Sequence, residues 1–227
     1  MYHTVVIGGG CLGAATAISL QHKLNKLNIK EKVCIIDKSV LCAAESSRHS
    51  GIVRSANADQ DASLMASEST KLWKNLESIW GVDMETEQFG AIWIAKKGQD
   101  GENKAWKELS KRMKSLNIEF NEIDHTKASD LCGESLIINE DESYYYEPAA
   151  LQIDPSILRS TIYDALEYNG VEILEKTSVE SILTNDNNVT TCVTNNGNFS
   201  GKNFVNAVGA WSPQLFLKIG IKIPVTI

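Results

Sequence analysis

The sequence predicts an α/β fold built on a mainly parallel sheet. Three stretches carry that expectation. "TVVIGGG" at residues 4–10 is a β-branched run ending in glycines, followed by "CLGAATAISLQHKLNKL", where Ala17, Leu20, Leu24 and Leu27 recur at helical spacing. "KVCIID" at 32–37 is a second apolar strand, so the first 37 residues form a strand–helix–strand unit with a right-handed crossover. Later, "VEILEK", "VESILT", "NVTTCVT" and "NFVNAV" are short strands separated by turn residues at 185–188 and 195–197, a β-meander returning to the main sheet.

Between these landmarks the elements alternate. Residues 61–80 place Leu72, Trp73, Leu76, Ile79 and Trp80 on one face of a helix stopped by Gly81, a core stripe rather than a site. "FGAIWIA" at 89–95 reads as a strand. Trp106, Leu109, Met113 and Leu116 mark an amphipathic helix, and "IEFNEI" after it a further strand, together part of a second layer or domain. "IDPSILRSTIYDALEYNG" has Asp154 as N-cap, Pro155 in the first helical position and Gly170 as the stop. Ser212 and Pro213 open a short helix ending at Gly220, and "IKIPVTI" reads as the start of one more strand.

Composition narrows the function classes. No apolar run approaches the roughly 20 residues of a membrane helix, and with the first strand starting at Thr4 there is no room for a signal peptide, so a cytoplasmic chain is expected. The 22 basic against 29 acidic side chains give a net charge of −7 without any basic block, which argues against nucleic acid as a partner. Five cysteines without zinc or C-x-x-C spacing read as reduced, mostly buried thiols; Cys42, near Arg48 and His49 in sequence, is the candidate reactive one. His3, His22 and His125 have no metal-ligand spacing, and the serine-rich loop lacks a nucleophile elbow.

Gly8, Gly10 and Gly13 fit G-x-G-x-x-G. The first permits the tight turn, the second lets backbone approach a pyrophosphate, and the third allows close helix–strand packing. The helix N-terminus offers open N–H groups to the phosphates. Asp37 follows Gly13 by 24 residues at the end of the next strand, near the expected separation of about 20. An acid there accepts ribose hydroxyls and repels a 2′-phosphate, favouring FAD or NAD over NADP without separating the two. The unit is Rossmann-like.

"VVIGGGCLGAATAISL", "ESSRHSGIVRS" and "FVNAVGAWSPQL", with "LQIDPSILRSTIYDALEYNGVEILEKTSVESI" between the last two, resemble in order the D-amino-acid oxidase superfamily of FAD-dependent oxidoreductases. The similar branch is that of sarcosine oxidase, glycine oxidase and dimethylglycine dehydrogenase. The resemblance implies a glutathione-reductase-type FAD-binding domain with a β-meander, at 1–80 and 149–220, and part of a mixed α+β substrate domain at 81–148 and 221–227. It implies that Gly8, Gly10, Gly13 and Asp37 hold the pyrophosphate and ribose, with Lys38 beside the adenosine. Ser46, Ser47 and Arg48 would approach the pyrophosphate and flavin. Val179 would meet adenine through its backbone, and Ala207 and Gly209 would let the chain pass close to the cofactor. Gly51 falls where backbone must approach a large planar ligand.

His49 lies two residues before Gly51, whereas the family's covalent-attachment histidine lies three before, the place of Arg48. A non-covalent flavin is therefore expected, with His49 hydrogen bonding or facing substrate. Arg54 is a candidate for flavin electrostatics or substrate-carboxylate capture, with a surface ion pair as the plain alternative. The "SYYYEP" run at 143–148 could line an amine or aromatic pocket, with at most one or two tyrosines facing it. Members of the superfamily are longer, so the chain is expected to be an N-terminal part or to need a partner chain. The implied activity is oxidation of the C–N bond of a secondary amine or amino acid by hydride transfer to flavin N5, re-oxidised by oxygen or an electron-transfer partner. A 2-hydroxy-acid (L-2-hydroxyglutarate-like) dehydrogenase and a non-catalytic FAD-binding subunit are the alternatives.

Overall fold

The computed structural model describes residues 1–57, 59–98, 100–135 and 137–224. In chain order its strands are β1 (Tyr2–Ile7), β2 (Val33–Ile36), β3 (Ile52–Val53), β4 (Ala91–Lys96), β5 (Asn121–Ile123), β6 (Glu142–Glu147), β7 (Leu151–Gln152), β8 (Glu172–Leu174), β9 (Val179–Asn185), β10 (Asn188–Thr194) and β11 (Gly197–Asn206). Its helices are α1 (Cys11–Lys26), α2 (Gln60–Trp73), α3 (Leu76–Trp80), α4 (Asp100–Ser115), α5 (His125–Cys132), α6 (Pro155–Asn169) and α7 (Ser212–Leu217). The chain folds into two compact units: Met1–Ser50, Leu76–Met84 and the stretch from Pro155 onward, and Gly51–Asn75 with Glu85–Asp154.

The first unit is a sheet of order β8-β2-β1-β11-β10-β9. β8, β2 and β1 run parallel, and β1 pairs parallel with β11. β9, β10 and β11 form the antiparallel meander. β11 serves both arrangements: Gly197–Ser200 face β10, and Gly201–Asn206 face β1. Val5, Val6, Val33, Cys34 and Ile35 are fully buried, which is why β1 and β2 read as continuous apolar runs rather than alternating ones. On one face Val5, Ile7, Cys34 and Ile36 pack with Ile182, Cys192 and Leu215. Alternation along the strands turns Val6 and Ile35 to the other face. α1 and α6 pack on each other, and α1 packs along β1 and β2. α6 starts at Pro155 and stops before Gly170 at φ +80, as its sequence signals require.

The second unit holds the antiparallel sheet β4-β6-β5 and the short pair β3-β7. α4 presents Trp106, Leu109 and Met113 to a core with Phe120 and Tyr145, so the expected amphipathic stripe is the buried one. The rings of Trp106 and Tyr145 stack at 5.2 Å between centroids.

Two expectations need correction. The helix expected over 61–80 is two helices, with the Asn75 N–H bonded to the Leu72 carbonyl at the break. Leu72 is 55% exposed, whereas Leu76 and Trp80 are buried. Helical spacing is continuous across the break, but α2 belongs to the second unit and α3 to the first, so the stripe does not serve one core. Relative to the expected domain boundaries, residues 51–75 and 149–154 cluster with 85–148. The buried Glu147 carboxylate accepts the N–H groups of Ser55 and Ala56, β3 pairs with β7, and Arg112 donates to the Asn57 carbonyl. Of the strand expected at 221–227, residues 221–224 have no regular structure and the rest lies outside the described residues.

Candidate functional site: the glycine turn of the first unit

β1 ends against β11 and runs into Gly8, at φ +106. The Gly8 N–H bonds the Ile36 carbonyl, and the Ala207 N–H bonds the Ile7 carbonyl at 2.7 Å, so both neighbouring strands hold the turn. A Cβ at Gly8 would lie 2.3 Å from the Ala207 carbonyl oxygen, and one at Gly13 would lie 1.9 Å from the Gly8 carbonyl oxygen. The two glycines thus let β11 close on the turn and α1 close on β1. Gly10 is the N-cap of α1 and has no side chain to cap with. Its first turn carries no acid, while Lys23 and Lys26 sit in its last turn. The positive end of the helix dipole is therefore uncompensated and favours an anion. Leu12, in that first turn, is 82% exposed.

Asp37 has one oxygen on the Gly9 N–H and the other on the Ser39 N–H, each at 2.7 Å. A carboxylate has about four lone-pair sites, so hydroxyls can still be accepted there. The Asp37 carbonyl takes the Thr177 N–H, tying in the segment that leads to Val179 at the start of β9. Lys38 Nζ stands 3.7 Å over the Trp211 ring, closing the edge beside Gly209, which has φ +57 and open space where a Cβ would be. Trp211 was not singled out from the sequence, although "AVGAWS" places it two residues past Gly209.

The "ESSRHSGIVR" stretch divides. A short 3-10 helix over Glu45–Ser47 turns the Ser46 hydroxyl onto the Cys11 N–H at 3.0 Å, the link that brings this loop to the glycine turn. The Ser47 hydroxyl bonds back to the Ala44 carbonyl, and Arg48 approaches Glu45 at 3.9 Å with both side chains largely exposed, a surface pair worth at most about 1 kcal/mol. His49 is exposed and adds a positive influence on the Cys11 thiol. Gly51 and Arg54 belong to the second unit. The close approach at Gly51 is to the Ile153 carbonyl, 1.9 Å from where a Cβ would sit. The Arg54 guanidinium lies 4.4 Å over the Trp93 ring and donates to the Ala56 carbonyl.

Two sequence readings of chemistry change. The tyrosines of the run are taken up by neighbours within the second unit: Tyr144 bonds Glu142 and the Asn139 N–H, Tyr145 is in the aromatic core, and the Tyr146 ring backs Gly90. Cys42 is buried, and its hydrogen bond to Cys11, then burial, push its thiol up; the same bond pulls the Cys11 thiol down. Among the described residues no group of three His, Cys, Asp or Glu side chains is placed to hold a metal ion, and no helix is long and apolar enough to cross a membrane.

A glycine turn pinned by both neighbouring strands, a helix start without an acidic side chain and a strand-end aspartate define a dinucleotide-binding α/β unit. The chain belongs to the family described as FAD dependent oxidoreductase, whose model matches residues 3–226. That family is FAD-dependent. Among curated proteins it is similar to the mitochondrial pyruvate dehydrogenase phosphatase regulatory subunit of Mus musculus, 26% identical over 94% of this chain and 23% of that protein. It is also similar to the mitochondrial dimethylglycine dehydrogenase of Rattus norvegicus, 25% identical over 97% of this chain and 25% of that one. Among solved structures, L-proline dehydrogenase from P. horikoshii matches with TM-score 0.83 and 24% identity over 100% of this chain and 57% of that chain. Glycine oxidase from Bacillus cereus matches with TM-score 0.76 and 22% identity over 96% and 58%. The chain thus spans about a quarter of these curated relatives and little more than half of these solved chains. The mostly parallel α/β fold is the one they share.

Proposed function

We propose that the first unit seats FAD and that the protein containing it oxidises the C–N bond of a secondary amine or amino acid. The observation that carries this reading is the glycine turn, whose two close backbone approaches leave an uncompensated helix end open beside the Asp37 carboxylate. The residues present fit a dinucleotide: Gly10 brings no side chain to the helix end, the α1 amides beyond the one that Ser46 accepts suit the pyrophosphate, and Asp37 retains capacity for ribose hydroxyls. Bound FAD supplies the group that accepts a hydride from the substrate carbon beside nitrogen. The Val179 backbone would border the adenine, and Lys38 over Trp211 would border the adenosine. Ser46 braces the start of the helix. Family resemblance assigns Ser47, Arg48 and the passage through Ala207 to Gly209 to the cofactor; Gly51 is a candidate close approach to it, His49 a hydrogen-bonding or substrate-side residue, and Arg54 a candidate for flavin electrostatics or substrate-carboxylate capture.

The relatives' names favour the substrate class, since they are an L-proline dehydrogenase, a glycine oxidase and a dimethylglycine dehydrogenase. Titration of the purified chain with FAD and with NAD tests the cofactor. Tight FAD binding with colour released by acid is expected, and NAD binding without flavin would refute the reading. With the full-length protein, N-methyl amino acids and amino acids should reduce a dye acceptor; turnover of 2-hydroxy acids alone would move the assignment to that class. A second reading is favoured by the Mus musculus relative, a regulatory subunit by name: FAD held as a structural ligand without turnover. Flavin binding with no reduction across the whole panel would select it.

A further inference from the structure

We propose that Glu175 is a positioning residue for the cofactor: together with Tyr163 it clamps residues 37–42 onto the glycine turn and so sets the carboxylate that meets the ribose. This role deepens the FAD reading and rests on it for the effect on affinity. Residues 37–42 wrap Gly9. Its N–H bonds the Asp37 carboxylate at 2.7 Å, its carbonyl takes the Cys42 N–H at 2.9 Å, and the buried Leu41 side chain fills the place where a Gly9 Cβ would stand. The far side of the segment is held by the chain just past β8. The Asp37 N–H bonds the Leu174 carbonyl, the Thr177 N–H the Asp37 carbonyl and the Lys176 N–H the Ser39 carbonyl. Two residues on, the Leu41 N–H is held by a side chain instead: Glu175 Oε1 accepts it at 2.7 Å and also accepts the Tyr163 hydroxyl from α6. The Tyr163 oxygen itself lies 3.2 Å from the same N–H. A charge-assisted bond is thus what seats Leu41 on Gly9.

Glu175 acts through Leu41. It lies half-buried past the end of β8, an edge strand of the sheet, so trimming it leaves the β2-β1-β11 ladders in place. Releasing the Leu41 N–H lets residues 39–42 lift from Gly9. The Asp37 carboxylate, bonded to the Gly9 and Ser39 N–H groups at the start of that segment, then loses its fixed aim. The change removes no group assigned to the ligand; apparent affinity falls with the share of molecules in which the segment is seated. Both bonds end on one oxygen, which a glutamine carbonyl can supply in its place.

The test uses the full chain, first without ligand. Amide hydrogen exchange of the wild type should show Leu41 and Gly9 protected; exchange of Leu41 at the rate of an unstructured peptide would overturn the clamp, whether or not any variant folds. Glu175→Ala combined with Tyr163→Phe removes both acceptors of the Leu41 N–H. Both amides should then exchange faster while those of β1 keep the wild-type rate, and fluorescence titration should show FAD bound about tenfold more weakly. Glu175→Gln, which keeps an oxygen where Oε1 stands, and Tyr163→Phe alone, which keeps the carboxylate, should stay within about twofold of wild type. In an Asp37→Asn background, where the group being positioned is already gone, the paired substitution should cost less than about a further twofold. The proposal is overturned by wild-type affinity in the paired variant, or by a loss in Glu175→Gln as large as that of the pair. The same loss repeated on top of Asp37→Asn would mark a merely structural role and overturn it too. A wild-type chain that binds no FAD would refute the cofactor reading and with it the effect on affinity, while the exchange rates at Leu41 and Gly9 would still decide the clamp.

Discussion

Substituting Gly8 by alanine strikes the turn where two restraints coincide. At φ +106 an L-residue is strained, at about 1–3 kcal/mol. The new Cβ would also lie 2.3 Å from the Ala207 oxygen and 2.7 Å from the Val208 nitrogen, and both are backbone atoms. Ala207 cannot simply yield, because its N–H is bonded to the Ile7 carbonyl at the end of the β1–β11 ladder. Relief of such overpacking costs about a further 1–3 kcal/mol. A total near 4 kcal/mol is a large share of the roughly 5–15 kcal/mol that holds a folded protein. In urea, with a slope near 2 kcal/mol per molar, the unfolding midpoint of the first unit should fall by about 2 M. Gly209→Ala is the control: φ +57 is a milder left-handed conformation and nothing stands within 4 Å, so about 1 kcal/mol is expected. Far-ultraviolet circular dichroism across a urea series reads both. The reasoning fails if Gly8→Ala is within about 0.5 kcal/mol of wild type, or if Gly209→Ala is the more damaging of the two.

Asp37→Asn should weaken FAD binding about 10- to 100-fold, the loss of one charge-assisted bond, and flavin fluorescence titration reads it; an unchanged affinity would remove Asp37 from the site. Glu147→Gln replaces a fully buried carboxylate that accepts two backbone N–H groups by an amide whose NH2 must face one of them. Stability should drop by about 2–4 kcal/mol, with faster hydrogen exchange at the Ser55 and Ala56 amides, and wild-type exchange there would contradict the assignment. Alkaline conditions should destabilise the first unit. Burial raises the Cys34 and Cys192 thiols to about 12, whereas unfolded thiols ionise near about 8.5. Between those values the unfolded state holds fewer protons, so stability falls as pH rises. Urea midpoints at pH 7 and pH 10 check the direction, and equal midpoints would refute it.

The sequence carries most of the backbone logic of the turn. The tasks of Gly8, Gly10 and Gly13 are steric and local, Asp37 lies at a strand end, and Pro155 and Gly170 bracket α6; each leaves its mark within a few residues. What escaped depends on contacts between distant residues. Ser46 and Ser47 are adjacent hydroxyls, and only the 3-10 turn decides that Ser46 reaches the Cys11 N–H. Cys42 draws attention through its sequence neighbours, but it is buried, at a left-handed turn that the sequence does not announce. Nothing in the sequence singles out Glu147, yet it is the buried acceptor for the strand-to-helix segment at 55–56. The break between α2 and α3 is silent because Leu72, Leu76 and Trp80 keep helical spacing across it.

The double pairing of β11 also sets an order of events. Tyr2 lies opposite Gly201 and Ile7 opposite Asn206, so the first strand cannot gain this neighbour until Gly201–Asn206 have been made. Closing so long a loop slows folding. On the ribosome, where N-terminal segments emerge first, the glycine motif is made well before its wall at Ala207. A nascent chain ending before Gly197 carries the motif without the seat, so a ligand that needs both can be captured only after β11 has emerged.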